Sequence, residues 1–213
     1  MNSASREREP RVNLLLYHLF KWSVVAPTFH VYFRGNIQGA ENVPKTGPLV
    51  VVSNHASYFD PPILSNCVGR PVAFMAKEEL FSIPILKQSI SLYGAYPVKR
   101  GASDRAAIKA ALTMLNQGWA VGIFLEGTRT PDGCIYEPKL GAALIAAKAK
   151  APLLPISLQG TQGILPKGKR LPQSVPLTVR IGEVIPAPTS TNKADLEAVT
   201  TKCATIINKM LID

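Results

Sequence analysis

Short apolar runs alternate with stretches of helical periodicity along most of the chain. The runs at 49–53, 120–125 and 153–158 are mainly apolar and lie between turn or polar residues, a pattern typical of strands buried on both faces. Further strands are predicted at 71–76, 96–98 and 177–185. Helices are predicted at 104–117, 141–150 and 193–211.

This alternation predicts an α/β fold. The 213 residues give one ordinary domain enough chain to form a core, and neither an internal repeat nor a linker divides them. We therefore expect a single domain with a mixed, mostly covered β-sheet flanked by helices. That domain is assigned to residues 34–213, after an N-terminal helical segment at residues 1–33.

The N-terminal segment is polar at first and mostly apolar from Val12 to Phe33. Lys21 interrupts the apolar part, and a central lysine costs about 2.5–3.5 kcal/mol on membrane-insertion scales, so a membrane-spanning helix is not expected. As a helix, the segment places apolar residues on one side and Asn13, Tyr17 and Lys21 on another. This pattern fits either an amphipathic helix in a membrane interface or a helix packed on the core.

The chain carries an excess of positive charge: 24 Lys and Arg against 14 Asp and Glu give a net charge of +10. Such an excess favours anionic partners, which include nucleic acids, acidic proteins and membrane head groups. The basic residues are spread along the chain, and the aromatic residues, 7% of the total, do not interleave with them. No nucleic-acid partner is therefore expected.

The three cysteines lie far apart, at positions 67, 134 and 203. No two have the spacing of metal ligands, so no metal site is expected, and an odd number argues against a secreted disulfide framework. A reducing environment that faces the cytosol fits these cysteines best.

The first candidate for chemistry follows the predicted strand at 49–53. A turn between His55 and Asp60 could bring the carboxylate onto the imidazole, and a carboxylate-braced imidazole is what a general base needs. Asp60 before Pro61 equally fits the start of a helix, with Asp60 as a capping residue.

Two further strand ends carry basic residues. Lys99 and Arg100 follow the predicted strand at 96–98, and Arg129 follows the strand at 120–125 after Glu126. An arginine fork binds phosphate in a bidentate manner, although a single basic residue is more often a solvated surface charge. Together, the three strand ends predict one site that removes a proton and holds an anion.

Four motifs in this chain resemble, in family order, the signatures of the glycerolipid acyltransferases, the 1-acyl-sn-glycerol-3-phosphate acyltransferase family. They are NH-x4-DP from Asn54 to Pro61, G-x-x-PV-x-R from Gly94 to Arg100, EGTR from Glu126 to Arg129 and PLLPI from Pro152 to Ile156. Thr130 stands where the family more often has serine. The motifs span roughly residues 50–157, about half of the chain.

The resemblance implies transfer of a fatty acyl group from acyl-CoA or acyl carrier protein to lysophosphatidic acid, with no cofactor beyond the donor. It implies the following site residues: His55 as general base, Asp60 as its orienting carboxylate, Arg100 and Arg129 on the acceptor phosphate with Lys99 beside them, and Glu126, Gly127 and Thr128 around the acceptor. It also implies a protein on an anionic membrane surface, peripheral or monotopic, at the cytoplasmic face. The N-terminal segment would then be an interfacial helix.

Three alternatives remain open at this point. The acceptor could be glycerol-3-phosphate or another lysophospholipid. Ser57 could form an acyl-enzyme with His55 as its base, although no nucleophile-elbow sequence supports this route. The chain could also be a non-catalytic membrane lipid-binding module, although lipid binding alone requires no base such as His55.

Overall fold

The structure is a computed structural model of the chain. It describes residues 11–82, 87–88, 90–91, 94–98, 104–166, 168–169 and 171–212.

Strands and helices alternate as the apolar pattern predicts. The strands are β1 (Asn36–Gln38), β2 (Val50–Ser53), β3 (Val72–Lys77), β4 (Ala95–Val98), β5 (Ala120–Phe124), β6 (Leu153–Gln159) and β7 (Thr178–Ile181). The α-helices are α1 (Arg11–Phe20), α2 (Asp60–Val68), α3 (Asp104–Asn116), α4 (Gly141–Ala149) and α5 (Lys193–Ile212). Two π-helical turns, Lys21–Val25 and Thr28–Tyr32, continue α1.

The strands form one mixed sheet in the order β1-β7-β6-β2-β5-β3-β4. Strands β2 to β6 are parallel to their neighbours within this group, and β7 runs antiparallel to β6 and parallel to β1. The predicted mixed sheet is therefore confirmed. Because β2, β5 and β6 end at the same edge, the loops that follow them lie there, as is usual for ligand sites in such sheets.

Helices cover both faces of the sheet. Side chains alternate along β2, so that Val50 and Val52 pack with α3, α4 and α5, whereas Val51 packs with α2. All three valines are fully buried. The sheet is mostly covered, as its apolar strands predict.

The N-terminal segment packs on the core through the side that the sequence marks as the less apolar one. Tyr17 is buried, with its hydroxyl 2.7 Å from Ser65 Oγ, and Lys21 is also buried. The apolar side chains of Leu15, Leu19 and Trp22 remain exposed. The segment therefore contacts the core and still presents an apolar face. None of the helices in the described part of the chain is long and apolar enough to cross a membrane.

β1 was not predicted from the pattern, and of α2 only the start at Asp60 was predicted. β1 has only three residues, two of them polar and exposed, so it lacks an apolar run. α2 begins at Asp60 with two prolines in its first turn and has weak amphipathic character, because seven of its nine residues are buried. A helix buried nearly all round carries no polar face that would mark it in a sequence.

Candidate active site

Asn54 fixes the loop that leaves β2. Its side chain is fully buried and joins β2 to β6: Nδ2 donates to Leu158 O at 2.9 Å, and Oδ1 accepts from Leu158 N at 2.8 Å. Both hydrogen bonds hold the chain immediately before His55 against the neighbouring strand. The position of His55 is thereby set by the sheet, and the loop itself contributes little freedom.

His55 and Asp60 are in direct contact. His55 Nδ1 lies 2.7 Å from Asp60 Oδ2, and the same oxygen accepts hydrogen bonds from Ala56 N at 2.7 Å and Ser57 N at 2.8 Å. A carboxylate acceptor at Nδ1 places the imidazole proton there and leaves the lone pair on Nε2. Nε2 has no hydrogen-bond partner among the described residues.

A helix does start at Asp60, as the alternative predicts, but the prediction that Asp60 is its capping residue is wrong. Asp60 is the first residue of α2, and Phe59 occupies the capping position without a side-chain cap. The carboxylate turns back toward the loop at 55–57 and accepts no hydrogen bond from the helix. Its burial is complete, so the three donors on Oδ2 offset the loss of water around this oxygen.

The imidazole ring also lies on an aromatic stack. His55 is parallel to Phe124, the last residue of β5, with centroids 4.0 Å apart and 12° between planes, and Phe124 stacks in turn on Phe74 of β3. Gly122 leaves the space for this arrangement, because a Cβ there would lie 2.2 Å from the Phe74 ring. The stack fixes the plane of the His55 ring, and the contact to Asp60 fixes which way Nδ1 points within that plane.

Sequence reasoning missed both phenylalanines. A glycine inside an otherwise apolar strand signals a close approach of another group. That signal was present at Gly122, although it could not identify Phe74 as the group.

Arg129 is held by Tyr58, a residue that the sequence did not single out. The guanidinium carbon lies 3.6 Å from the centre of the Tyr58 ring, and Nη2 donates to the Tyr58 hydroxyl at 2.9 Å. Both side chains are exposed. The contact brings the loop after β5 to the His55–Asp60 loop and leaves other guanidinium donors open to solvent.

Glu126 organises the loop that carries Arg129. Its carboxylate accepts hydrogen bonds from Tyr136 N and Glu137 N, each at 3.0 Å to Oε2. Gly127 has φ of +72°, which glycine adopts without strain, and Thr128 is exposed next to it. The predicted residues 126–128 therefore shape this loop from within.

Thr130 closes the loop onto His55. Its backbone N–H donates to His55 O at 2.8 Å, and its hydroxyl donates to Cys134 O at 2.9 Å. The side chain is buried, which explains why threonine, with the same hydroxyl as serine, is accommodated here. The loops after β2 and β5 thus form one unit.

A second hydrogen-bonded pair stiffens the far side of this loop. The Tyr136 hydroxyl donates to Asp132 Oδ2. This hydrogen bond raises the pKa of Tyr136 to about 12 and lowers the pKa of Asp132 below its usual value.

The structure thus brings together six of the eight predicted site residues, from His55 and Asp60 to the run 126–129. Lys99 and Arg100 lie outside the described residues. Ser57 is buried, and its Oγ accepts from Phe59 N at 3.3 Å; no hydrogen bond joins it to His55. Within the described ranges, no group of three His, Cys, Asp or Glu side chains could hold a metal ion.

Comparison with known proteins finds similarity to acyltransferases. The model of the family described as Acyltransferase matches residues 34–159. The chain is 36% identical over 150 residues to a chloroplastic 1-acyl-sn-glycerol-3-phosphate acyltransferase of Brassica napus. That alignment covers 69% of this chain and 43% of the Brassica napus protein. It is 31% identical over 170 residues to the 1-acyl-sn-glycerol-3-phosphate acyltransferase of Bacillus subtilis. That alignment covers 78% of this chain and 81% of the Bacillus subtilis protein.

A solved structure extends the similarity to the fold. The crystal structure of the 1-acyl-sn-glycerophosphate (LPA) acyltransferase from Thermotoga maritima matches with a TM-score of 0.77 and 26% identity, over 98% of this chain and 82% of that one. By contrast, this chain spans less than half the length of the chloroplastic relatives from Brassica napus and Arabidopsis thaliana.

Proposed function

The chain belongs to the Acyltransferase family, and we propose that it transfers a fatty acyl group from an acyl thioester to the free hydroxyl of lysophosphatidic acid, giving phosphatidic acid. The observation that carries this proposal is the His55–Asp60 pair. A lipid-binding module has no need of a buried carboxylate that holds an imidazole with Nε2 open.

The chemical step follows from that pair. His55 Nε2 removes the proton of the acceptor hydroxyl while its oxygen forms a bond to the thioester carbonyl carbon. The carbonyl reforms as the C–S bond breaks, and the thiolate takes up the proton from the imidazolium. Asp60 stabilises the positive charge on the ring through the contact at Nδ1. No covalent enzyme intermediate is required, and the buried Ser57 hydroxyl makes no hydrogen bond to His55, the base that an acyl-enzyme route would need.

The acceptor phosphate is assigned to Arg129. Stacking on Tyr58 orients the guanidinium before substrate arrives, which reduces the side-chain entropy that binding would otherwise cost. Its exposed face allows a bidentate contact to a phosphate. We assign Arg100, with Lys99 beside it, to the same phosphate, and residues 126–128 to the wall around the acceptor.

The site of action proposed for this chain is an anionic membrane surface, as a peripheral or monotopic protein at the cytoplasmic face. Two observations support it: the exposed apolar side chains of the N-terminal segment and the net charge of +10. Lysophosphatidic acid is itself a membrane lipid, so an interfacial enzyme meets its acceptor where the acceptor is concentrated.

The test is an activity assay with two donors. Purified protein is incubated with lysophosphatidic acid, vesicles and either palmitoyl-CoA or palmitoyl-acyl carrier protein, and phosphatidic acid is quantified. Glycerol-3-phosphate and lysophosphatidylcholine serve as competing acceptors. Formation of phosphatidic acid in preference to the other products supports the proposal; no product from either donor, or preference for another acceptor, contradicts it.

A further inference from the structure

A groove lies between α3 and α4, away from His55. It is open to solvent, has a volume of about 490 Å³, and its apolar floor is formed by Ile108 and Leu112 of α3 and Leu144 of α4. Three basic side chains, Arg105, Lys109 and Lys148, stand around this floor. Among the residues that the structure describes, no acidic one lines the groove. The size is within the usual range for ligand sites in proteins.

The three basic side chains lack partners in the described part of the chain: none of them makes an ion pair or hydrogen bond with a residue that the structure describes. All three are exposed. The only charged residue of α4 is Lys148, so no acid on that helix offsets it. The groove is therefore a positive surface with an apolar base.

The basic residues of α3 stand where they destabilise the helix. Arg105 and Lys109 are four residues apart, so they repel each other on one helix face. Arg105 also lies in the first turn, where the helix dipole disfavours a positive charge. Each effect is small, and an anionic partner would relieve both.

The groove extends toward the edge of the sheet that carries His55. α3 ends at Asn116, shortly before β5 begins at Ala120, so its C-terminal end lies at the opposite edge. Its 13 residues span about 20 Å at 1.5 Å per residue, which places Arg105 toward the edge of His55. A donor bound along the groove could extend its acyl thioester around this edge.

We propose that this groove docks an acidic amphipathic helix of a protein that carries the acyl thioester, an acyl carrier protein. The inference rests on the proposed function and specifies its donor. An apolar floor between two helices suits the apolar face of a third helix, and the basic rim suits acids beside that face.

A membrane surface is the less favoured partner for this groove. The exposed apolar side chains that suit a membrane, Leu15, Leu19 and Trp22, lie on the N-terminal segment and do not line the groove. The apolar floor of the groove is only partly exposed between two helices. A third helix can enter such a groove, whereas a flat membrane surface would first meet its basic rim.

The test reverses the charge of the rim. The variant Arg105→Glu/Lys109→Glu/Lys148→Glu is compared with the parent protein, using palmitoyl-acyl carrier protein and palmitoyl-CoA as donors. We expect kcat/KM with the carrier protein to fall at least thirtyfold and kcat/KM with palmitoyl-CoA to stay within twofold. A matched control, Lys45→Glu/Lys202→Glu/Lys209→Glu, changes the net charge equally at exposed sites and should affect neither donor.

Each other outcome overturns the inference. Equal loss with both donors would show a general effect on folding or chemistry, and a thermal melt of each variant identifies the former. No loss with either donor would show that the groove is not used. Loss of vesicle binding, with carrier affinity unchanged, would assign the groove to the membrane.

The same assays distinguish a failure of the groove inference from a failure of the proposed function. A parent protein that is active with palmitoyl-CoA but neither reacts with nor binds the carrier protein contradicts the groove inference alone. A parent that is active with neither donor contradicts the proposed function. In that case, direct binding of the carrier protein to the parent and to the rim variant still decides whether the groove is a docking surface.

Discussion

The guanidinium of Arg129 and the ring of Tyr58 form one unit at the rim of the active site. Stacking of this kind at exposed positions contributes about 0.5–1 kcal/mol, and the hydrogen bond to the Tyr58 hydroxyl adds to it. Tyr58 is 68% exposed and so contributes little to the core. Its effect on the reaction should therefore pass through Arg129.

We expect Tyr58→Leu to raise the KM for lysophosphatidic acid about fivefold, because about 1 kcal/mol of orientation is lost, and to leave kcat within twofold. Tyr58→Phe keeps the ring and should restore most of the affinity. We expect Arg129→Ala to weaken acceptor use, and adding Tyr58→Leu to that variant should have no further effect. Additive losses in this steady-state double-mutant cycle, or a fall in kcat alone, would show that Tyr58 acts in another way.

At the scale of single residues, the sequence was most informative where chemistry and spacing coincide. His55 and Asp60 were predicted to meet across a turn, and they do. The supports of His55 were not predictable, because Phe124 comes from a strand about seventy residues later and its ring orientation depends on the pleat of the sheet. The local pattern contains no information on such long-range stacking.

The N-terminal segment buries a charged group. Lys21 is 3% exposed, and its ammonium lies over the ring of Trp22, 5.4 Å from the centre. Burial lowers the pKa of Lys21 below its ordinary value of 10.5. The folded state therefore releases this proton at a lower pH than the unfolded chain does, so the free energy of unfolding rises with pH between the folded pKa and about 10.5.

We expect Lys21→Met to stabilise the protein at pH 7, because it removes the cost of burying the charge and retains the aliphatic stem. The advantage over the parent should narrow as the pH rises toward 10, where the parent loses the proton. Urea unfolding of the parent and the variant at several pH values measures the stability gain at pH 7 and its decrease toward pH 10. Lys45→Met, at an exposed position, is the control; a difference that stays constant with pH would contradict a buried ammonium.

At the scale of elements, prediction succeeded where burial imposes a simple pattern. The central strands β2, β5 and β6 are buried on both faces and contain continuous apolar runs, so their bounds were predicted within one residue. The N-terminal segment was ambiguous, because the side with Tyr17 and Lys21 packs on the core although it is the more polar one. The Tyr17 side chain can be buried because its hydroxyl forms a hydrogen bond with Ser65, and this partner is 48 residues away in the sequence.

The whole molecule has an exposed apolar face on a basic background. Leu15, Leu19 and Trp22 are each more than 60% exposed. We expect the variant Leu15→Ser/Leu19→Ser/Trp22→Ser to bind anionic vesicles at least tenfold more weakly in a flotation assay, because each apolar side chain contributes about 1.5–3 kcal/mol when buried. Ile212→Ser, which removes an even more exposed apolar residue from α5, should leave vesicle binding unchanged. Unchanged flotation of the triple variant would contradict interfacial binding by this segment.

The central claim is that His55, oriented by Asp60, acts as the general base for acyl transfer to lysophosphatidic acid. The most direct measurement compares the rate of phosphatidic acid formation by the parent protein and by His55→Ala, with folding monitored by circular dichroism. We predict that His55→Ala retains its fold, because the imidazole is partly exposed, and loses activity about 10²–10⁴-fold. A folded His55→Ala protein that keeps a tenth or more of the parent rate would contradict the claim.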